Sequence, residues 1–182
     1  MKNSECNSSS KELFIQHRNN VLSKVNDSIS IQSGALPEFD SNSAYIGVKD
    51  FGNSNIGQFD EKHPLFAETL KKKLNGKGIS ISSNPTEEEI NNILKYTNDC
   101  KYVYIGTFNA HLFKRQKDLL DKIVERGNAV VITLCNPYDL DKNIKNKSLC
   151  TICAWDYSNR VLEYLADAIK GDVKLNSQYF NF

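Results

Sequence analysis

Two stretches of this chain leave little freedom of fold: AVVITLC at 129–135 and LCTICAW at 149–155 are continuously apolar and rich in β-formers. A strand with one wet face alternates apolar and polar side chains, so a strand that does not alternate has to be covered on both faces. Such strands belong in the middle of a parallel sheet with helices on either side. The chain between and before them fits that demand. YVYI at 102–105 predicts another strand, and 112–126 predicts a helix that buries Leu119, Leu120, Ile123 and Val124 and stops at Gly127.

The same alternation extends in both directions. A helix from about 64 to 74 brings Phe66, Leu70 and Leu74 to one side, and Ile79 and Ile81 mark a short strand. Thr86 and Glu89 have the spacing of a capping box, with Ile90, Ile93 and Leu94 as the buried stripe of the helix that follows. AYIGV at 44–48 reads as a strand, while SISIQ at 28–32 alternates and predicts an edge strand with one wet face. Ser158 is placed to cap a last helix that buries Val161, Leu162, Leu165, Ala166 and Ile169, with Gly171 beyond its end. The segment from 173 onward either adds an edge strand or hangs free. Residues 1–8 read as a disordered tail, and a helix with Ser9 and Glu12 at its start and Phe14, Val21, Leu22 and Val25 inward follows. The sum is a single α/β domain over 9–182, a three-layer αβα sandwich of flavodoxin or Rossmann type with a mostly parallel sheet.

Charge and composition exclude several classes. The 182 residues carry 23 basic and 22 acidic side chains, a net charge of +1, which offers no general footprint for nucleic acid or an anionic membrane. No apolar run approaches the roughly 20 residues that span a bilayer, and the start, MKNSECNSSS, lacks the apolar core of a secretory signal. A cytoplasmic location is expected. Cys150 and Cys153 have C-x-x-C spacing, but residues three apart on a strand point to opposite faces. They read as buried structural thiols, not a redox or metal pair.

Ligands of open parallel sheets bind at the carboxyl ends of the strands. The polar side chains gathered there are Asp50, Asn53, Thr107, Asn109, His111, Asn136, Tyr138, Asp139 and Asp156. They form the candidate rim for a ligand or partner, although Asn, Asp and Pro are also what turns require. His111 by itself reads as an ordinary surface histidine at a helix start. Lys71, Lys72 and Lys73 read as a solvated face at a helix C-terminus, and the triplet Glu87, Glu88, Glu89 as capping. No glycine-rich phosphate cradle or nucleophile elbow is present. His17, His63 and His111 lack metal-ligand spacing. No cofactor, metal site or catalytic residue is predicted.

The wording of 102–140, YVYIGTFNAHLFKRQKDLLDKIVERGNAVVITLCNPYDL, resembles the C-terminal α/β domain of family 3 glycoside hydrolases, in particular the β-N-acetylhexosaminidase branch. Its G-T-F-N-A turn and N-P-Y-D-L loop match in the same order. NDSISIQSGALP at 26–37, AWDYSNRV at 154–161 and ADAIKG at 166–171 extend the likeness over most of the chain. Two departures stand out. VKLNS at 173–177 replaces the family's G-K-L-P-V, and Lys62-His63-Pro64 lacks the glycines and second histidine of the barrel's K-H-x-P-G-H-G. In that branch the chemistry belongs to an N-terminal barrel of about 200 residues or more, longer than this whole chain. The resemblance therefore implies a non-catalytic accessory domain whose partner is a separate family 3 barrel or a second copy of itself. The alternative is a free-standing module that binds a sugar or another small molecule with its sheet-end loops. Neither reading involves nucleic acid or membrane.

Overall fold

The computed structural model describes residues 23–49, 65–156 and 158–177. Seven strands, β1 (Ile29–Gly34), β2 (Ser43–Val48), β3 (Lys77–Ile81), β4 (Tyr102–Thr107), β5 (Ala129–Leu134), β6 (Cys150–Ala154) and β7 (Asn176–Ser177), form one sheet in the order β3-β2-β4-β5-β6-β1-β7. From β3 to β6 every pairing is parallel. β1 runs antiparallel to β6, and β7 is parallel to β1. Among the described residues the sheet is covered by α1 (Phe66–Leu74), α2 (Glu87–Tyr96), α3 (Lys114–Val124), α4 (Lys142–Lys147) and α5 (Asn159–Lys170), and residues 23–27 ahead of β1 are helical as well.

Alternation along the central strands divides the core into two layers. On one face Tyr104, Val130, Ile132 and Ile152 pack with Phe66 and Leu70 of α1 and Leu162 and Leu165 of α5. On the other, Val103, Ile105 and Val131 pack with Ile90 of α2, Leu119, Leu120 and Ile123 of α3 and Ile144 of α4. Every residue of β5 is buried, as the uninterrupted apolar run demands. This is the predicted αβα sandwich with a mostly parallel sheet.

Phe66 is seated by two glycines on adjacent strands. Gly47 and Gly106 are register partners, and a Cβ on Gly106 would lie 2.8 Å from Phe66 Cγ. One on Gly47 would lie 2.9 Å from Phe66 Cβ. The glycine of the G-T-F-N-A turn is thus required by helix–sheet packing. Cys150 and Cys153 are buried and unpaired, as expected from their places on a strand.

Three expectations need correction. β1 is not an edge strand with a wet face: it lies between β6 and β7, and its polar Ser30 and Gln32 are 2% and 4% exposed. They tolerate burial because the Gln32 amide donates to the Ser30 hydroxyl at 2.7 Å. Of the two alternatives for the chain from 173, the edge strand is the one observed, over two residues. The helix expected from 112 begins instead at Lys114, after a 3₁₀ turn at Ala110–Leu112 that leaves Leu112 exposed. Ser158 occupies the cap position of α5 without a side-chain capping bond. Helix α4 was not anticipated; Asp141 caps it by accepting from the Ile144 N–H at 2.8 Å. The tail, the helix from Ser9 up to 22 and the start of the helix at 64 lie outside the described residues.

Candidate functional site

The carboxyl ends of β4 and β5 carry two loops that are tied to each other. After Thr107, Asn109 takes a left-handed conformation with φ +53°, and the 3₁₀ turn then brings His111 back over the strand end. After β5, Cys135 is left-handed as well, with φ +77°, and 136–140 folds across towards β4. Asn is among the side chains that tolerate this region through local hydrogen bonding.

Asp139 joins the two loops. Its side chain is 1% exposed and accepts from three donors. The Thr107 hydroxyl donates to Oδ2 at 2.7 Å. The His111 backbone N–H donates to Oδ1 at 2.9 Å, and His111 Nδ1 lies 2.7 Å from the same oxygen. A buried carboxylate is stable only when its lone pairs are met in this way. The contact also orients the imidazole, with Nδ1 turned to the carboxylate and Nε2 turned away from it. The His111 side chain remains 32% exposed, and Nε2 has no hydrogen-bond partner among the described residues.

Around this pair, Asn136 Nδ2 donates to Asn109 Oδ1 at 2.6 Å, and Asn136 Oδ1 accepts from the Tyr138 N–H at 3.1 Å. The Tyr138 ring meets the His111 ring edge-on, with centroids 5.7 Å apart, and is 68% exposed. Gln116 of α3, buried, anchors the base of the first loop. Its Oε1 accepts from the Phe108 N–H at 3.1 Å and its Nε2 donates to the Ser83 carbonyl, also at 3.1 Å.

Of the nine predicted rim residues, six come together here: Thr107, Asn109, His111, Asn136, Tyr138 and Asp139. Asp156 follows the neighbouring strand β6 but is engaged at the start of α5, where Oδ1 accepts from the Ser158 N–H at 3.1 Å. It makes no hydrogen bond to the cluster among the described residues. Asp50 and Asn53 lie outside the described residues. His111 is exposed in a short 3₁₀ turn, and it is also the partner of a buried carboxylate 28 positions away, which its sequence context did not indicate. Gln116 was missed because a glutamine on a helix face carries no periodic or motif signal.

Among the described residues no group of three His, Cys, Asp or Glu side chains is arranged to hold a metal, and no helix is long and apolar enough to cross a membrane. The imidazole Nε2 faces away from the acid and is able to take part in a hydrogen bond. The acid behind it is sealed from solvent, and the Thr107 hydroxyl is occupied by that acid, so neither meets a substrate directly. A groove of about 420 Å³ lies elsewhere, between the residues after β1 (Leu36, Phe39), the end of α5 (Ile169) and the segment that follows it (Leu175). Since β1 runs against the parallel strands, this groove sits at their amino ends, away from the His111 cluster.

Fold and site together define a helix-covered, mostly parallel sheet whose carboxyl-end loops are locked by a buried acid and present a histidine and a tyrosine. The helix-covered sheet is shared with structures of family 3 glycoside hydrolases. A β-N-acetylglucosaminidase of that family from Paenibacillus sp. strain FPU-7 matches with a TM-score of 0.70 at 18% identity, over 85% of this chain and 30% of the enzyme. A β-glucosidase from Listeria innocua matches with a TM-score of 0.65 at 12% identity, over 87% of this chain and 26% of that one. A fungal multi-domain family 3 β-N-acetylglucosaminidase matches with a TM-score of 0.56 at 15% identity, over 86% of this chain and 19% of its own. At these identities the likeness is one of fold. The chain spans less than a third of the length of each of these enzymes. No protein-family model and no curated protein matches it.

Proposed function

We propose that the chain is a non-catalytic accessory domain that works beside a glycoside hydrolase barrel in carbohydrate metabolism. The observation that carries this reading is the asymmetry of the match: 85% of this chain is accounted for by 30% of a family 3 β-N-acetylglucosaminidase. The chemistry of the site supports it. Retaining and inverting glycosidases use a pair of carboxyl groups that reach the scissile bond, and Asp139, the acid of this cluster, is sealed behind His111 and Thr107. The domain's part is then to brace a barrel and shape the approach to it. A cytoplasmic location goes with this reading, supported by the free, buried thiols of Cys100, Cys150 and Cys153.

The test is a pair of measurements on the purified chain. It should not release chromophore from a chromogenic N-acetylglucosaminide, and it should form a complex with an isolated family 3 barrel by size-exclusion chromatography. Turnover by the pure chain overturns the non-catalytic reading, and failure to bind any such barrel overturns the accessory one. The exposed Tyr138 ring beside His111 favours a second reading, a free-standing module that binds a sugar with the same loops. A thermal-shift screen with amino sugars separates the two, because a ligand that binds only the native chain raises its melting temperature.

A further inference from the structure

We propose that the outer edge of β3 is an interface on which a second copy of the chain pairs, antiparallel, and continues the sheet across a two-fold axis. β3 ends its side of the sheet and pairs with β2 alone. The Ile81 carbonyl accepts from the N–H of Lys49, directly after β2, at 2.8 Å. Backbone groups of successive strand residues point to alternate sides, so those of Ile79 and Lys77 also face β2. Gly78 and Ser80 then turn N–H and C=O outward, where they meet no hydrogen-bond partner among the described residues. Such an open row is a template for another strand.

The spacing of these groups suits an antiparallel copy of the same strand. With Ile79 opposite its own mate on the axis, Gly78 faces the partner's Ser80, and Ser80 faces the partner's Gly78. Each of these is a hydrogen-bonded pair that exchanges two bonds, and the Ile79 pair between them is the closer, non-hydrogen-bonded kind. Ile79 is half-buried in the single chain, and the pairing covers the rest of it.

Charge follows the same symmetry. On the α1 side Lys71 lies across Gly78, its Cδ 2.9 Å from where a Cβ would stand, and Glu68 is three positions earlier on the same helix face. On the α2 side Lys77 lies 4.8 Å over the Tyr96 ring, and Glu89, two helical turns before Tyr96, shares its face. Each flank thus carries its cation towards the amino end of β3 and its acid towards the carboxyl end. An antiparallel copy sets cation against acid on both flanks, whereas a parallel one sets like against like. The shared edge is short, so the dimer is weak and forms only at high concentration. None of this rests on the accessory-domain reading.

The experiment is sedimentation velocity on the whole chain over a concentration series up to the millimolar range, with hydrogen exchange followed at the Gly78 and Ser80 amides. A monomer–dimer equilibrium is expected, with both amides gaining protection as the dimer fills. Ser80→Pro removes an outward N–H and leaves the β2 pairing intact. It should raise the dimer dissociation constant at least about tenfold at an unchanged melting temperature of the dilute chain. Lys71→Glu should raise it about three- to tenfold, and adding Glu68→Lys to that variant should restore it. Should Ser80→Pro fail to fold, the charge swap decides, and a swap that does not restore pairing overturns the proposal. So does a chain that stays monomeric throughout, or a dimer that folded Ser80→Pro leaves unchanged. Amide protection independent of concentration overturns it as well, because the edge is then covered within one chain. Neither a barrel nor a substrate is present, so the outcome is separate from that of the barrel-binding test.

Discussion

A buried carboxylate with three donors is stable as long as each donor stays. Thr107 and Asp139 are 0% and 2% exposed, so replacing either leaves the other short of a partner away from water. Thr107→Val should cost about 1.5–3 kcal/mol, the range for hydrogen bonds to charged groups, read as a lower urea midpoint at unchanged slope. Tyr104 behaves in the opposite way. Its ring packs at 5.5 Å from that of Tyr45 on the neighbouring strand, yet its hydroxyl is buried without a hydrogen bond among the described residues, and burial raises its pKa. Tyr104→Phe removes an unsatisfied polar atom and keeps the ring, so thermal unfolding should show a neutral or slightly stabilising effect. The rim was legible in the sequence only as a list of polar residues beyond strand ends. That Asp139 faces His111 was not, because the two are 28 positions apart and meet only when β4 and β5 lie side by side.

At the level of elements, the clearest local signal was the capping box of α2. The Thr86 hydroxyl accepts from the Glu89 N–H at 3.2 Å, and Glu89 Oε2 accepts from the Thr86 N–H at 2.7 Å. The second of these bonds holds the Glu89 carboxyl below its ordinary pKa. Asp141 at the start of α4 is likewise depressed: partial burial works to raise its pKa, but the Ile144 N–H and the Lys117 ammonium outweigh that effect. A depressed native pKa stabilises the fold fully above the ordinary carboxylate value. The contribution is lost as pH falls through the native value. The melting temperature should therefore fall on acidification below about pH 4, and the double variant Glu89→Gln, Asp141→Asn should show a shallower fall. Packing between elements gives a second test. Gly106→Ala places a methyl group against the Phe66 ring and pushes α1 off the sheet. The cost should be about 1–3 kcal/mol, measured by chemical denaturation. The last helix shows the limit of local reading: Ser158 stands where a capping residue should be, yet its hydroxyl makes no such bond, while the carboxylate of Asp156 takes its backbone N–H. Cap position is local, but which side chain fills it depends on how the chain leaves β6.

On the scale of the molecule, β6 lies inside the sheet with both faces covered, and its two cysteines are part of that seal. Burial pushes the Cys150 thiol up to about 12 and raises that of Cys153. Neither should react with iodoacetamide at pH 8 in the native chain, since the thiolate is the nucleophile and reaching these positions requires the sheet to open. Site-resolved mass spectrometry should find both labelled only as urea unfolds the protein, in step with loss of far-UV signal. Labelling well below the unfolding midpoint would show that the β1–β6 side opens by itself.

The amino-acid sequence alone determined the layered α/β class, the buried central strands and the helix start at Thr86. Each of these follows from periodicity or from interactions within a few residues. Tertiary structure decided the rest. It put β1 inside the sheet in an antiparallel sense, since strand order depends on which apolar faces find each other across the whole chain. It made Gly106 a packing notch instead of a turn residue, and it joined His111 to Asp139. Such contacts link positions far apart along the chain, where no local pattern records them, and they exist only once the sheet has brought the strand ends together.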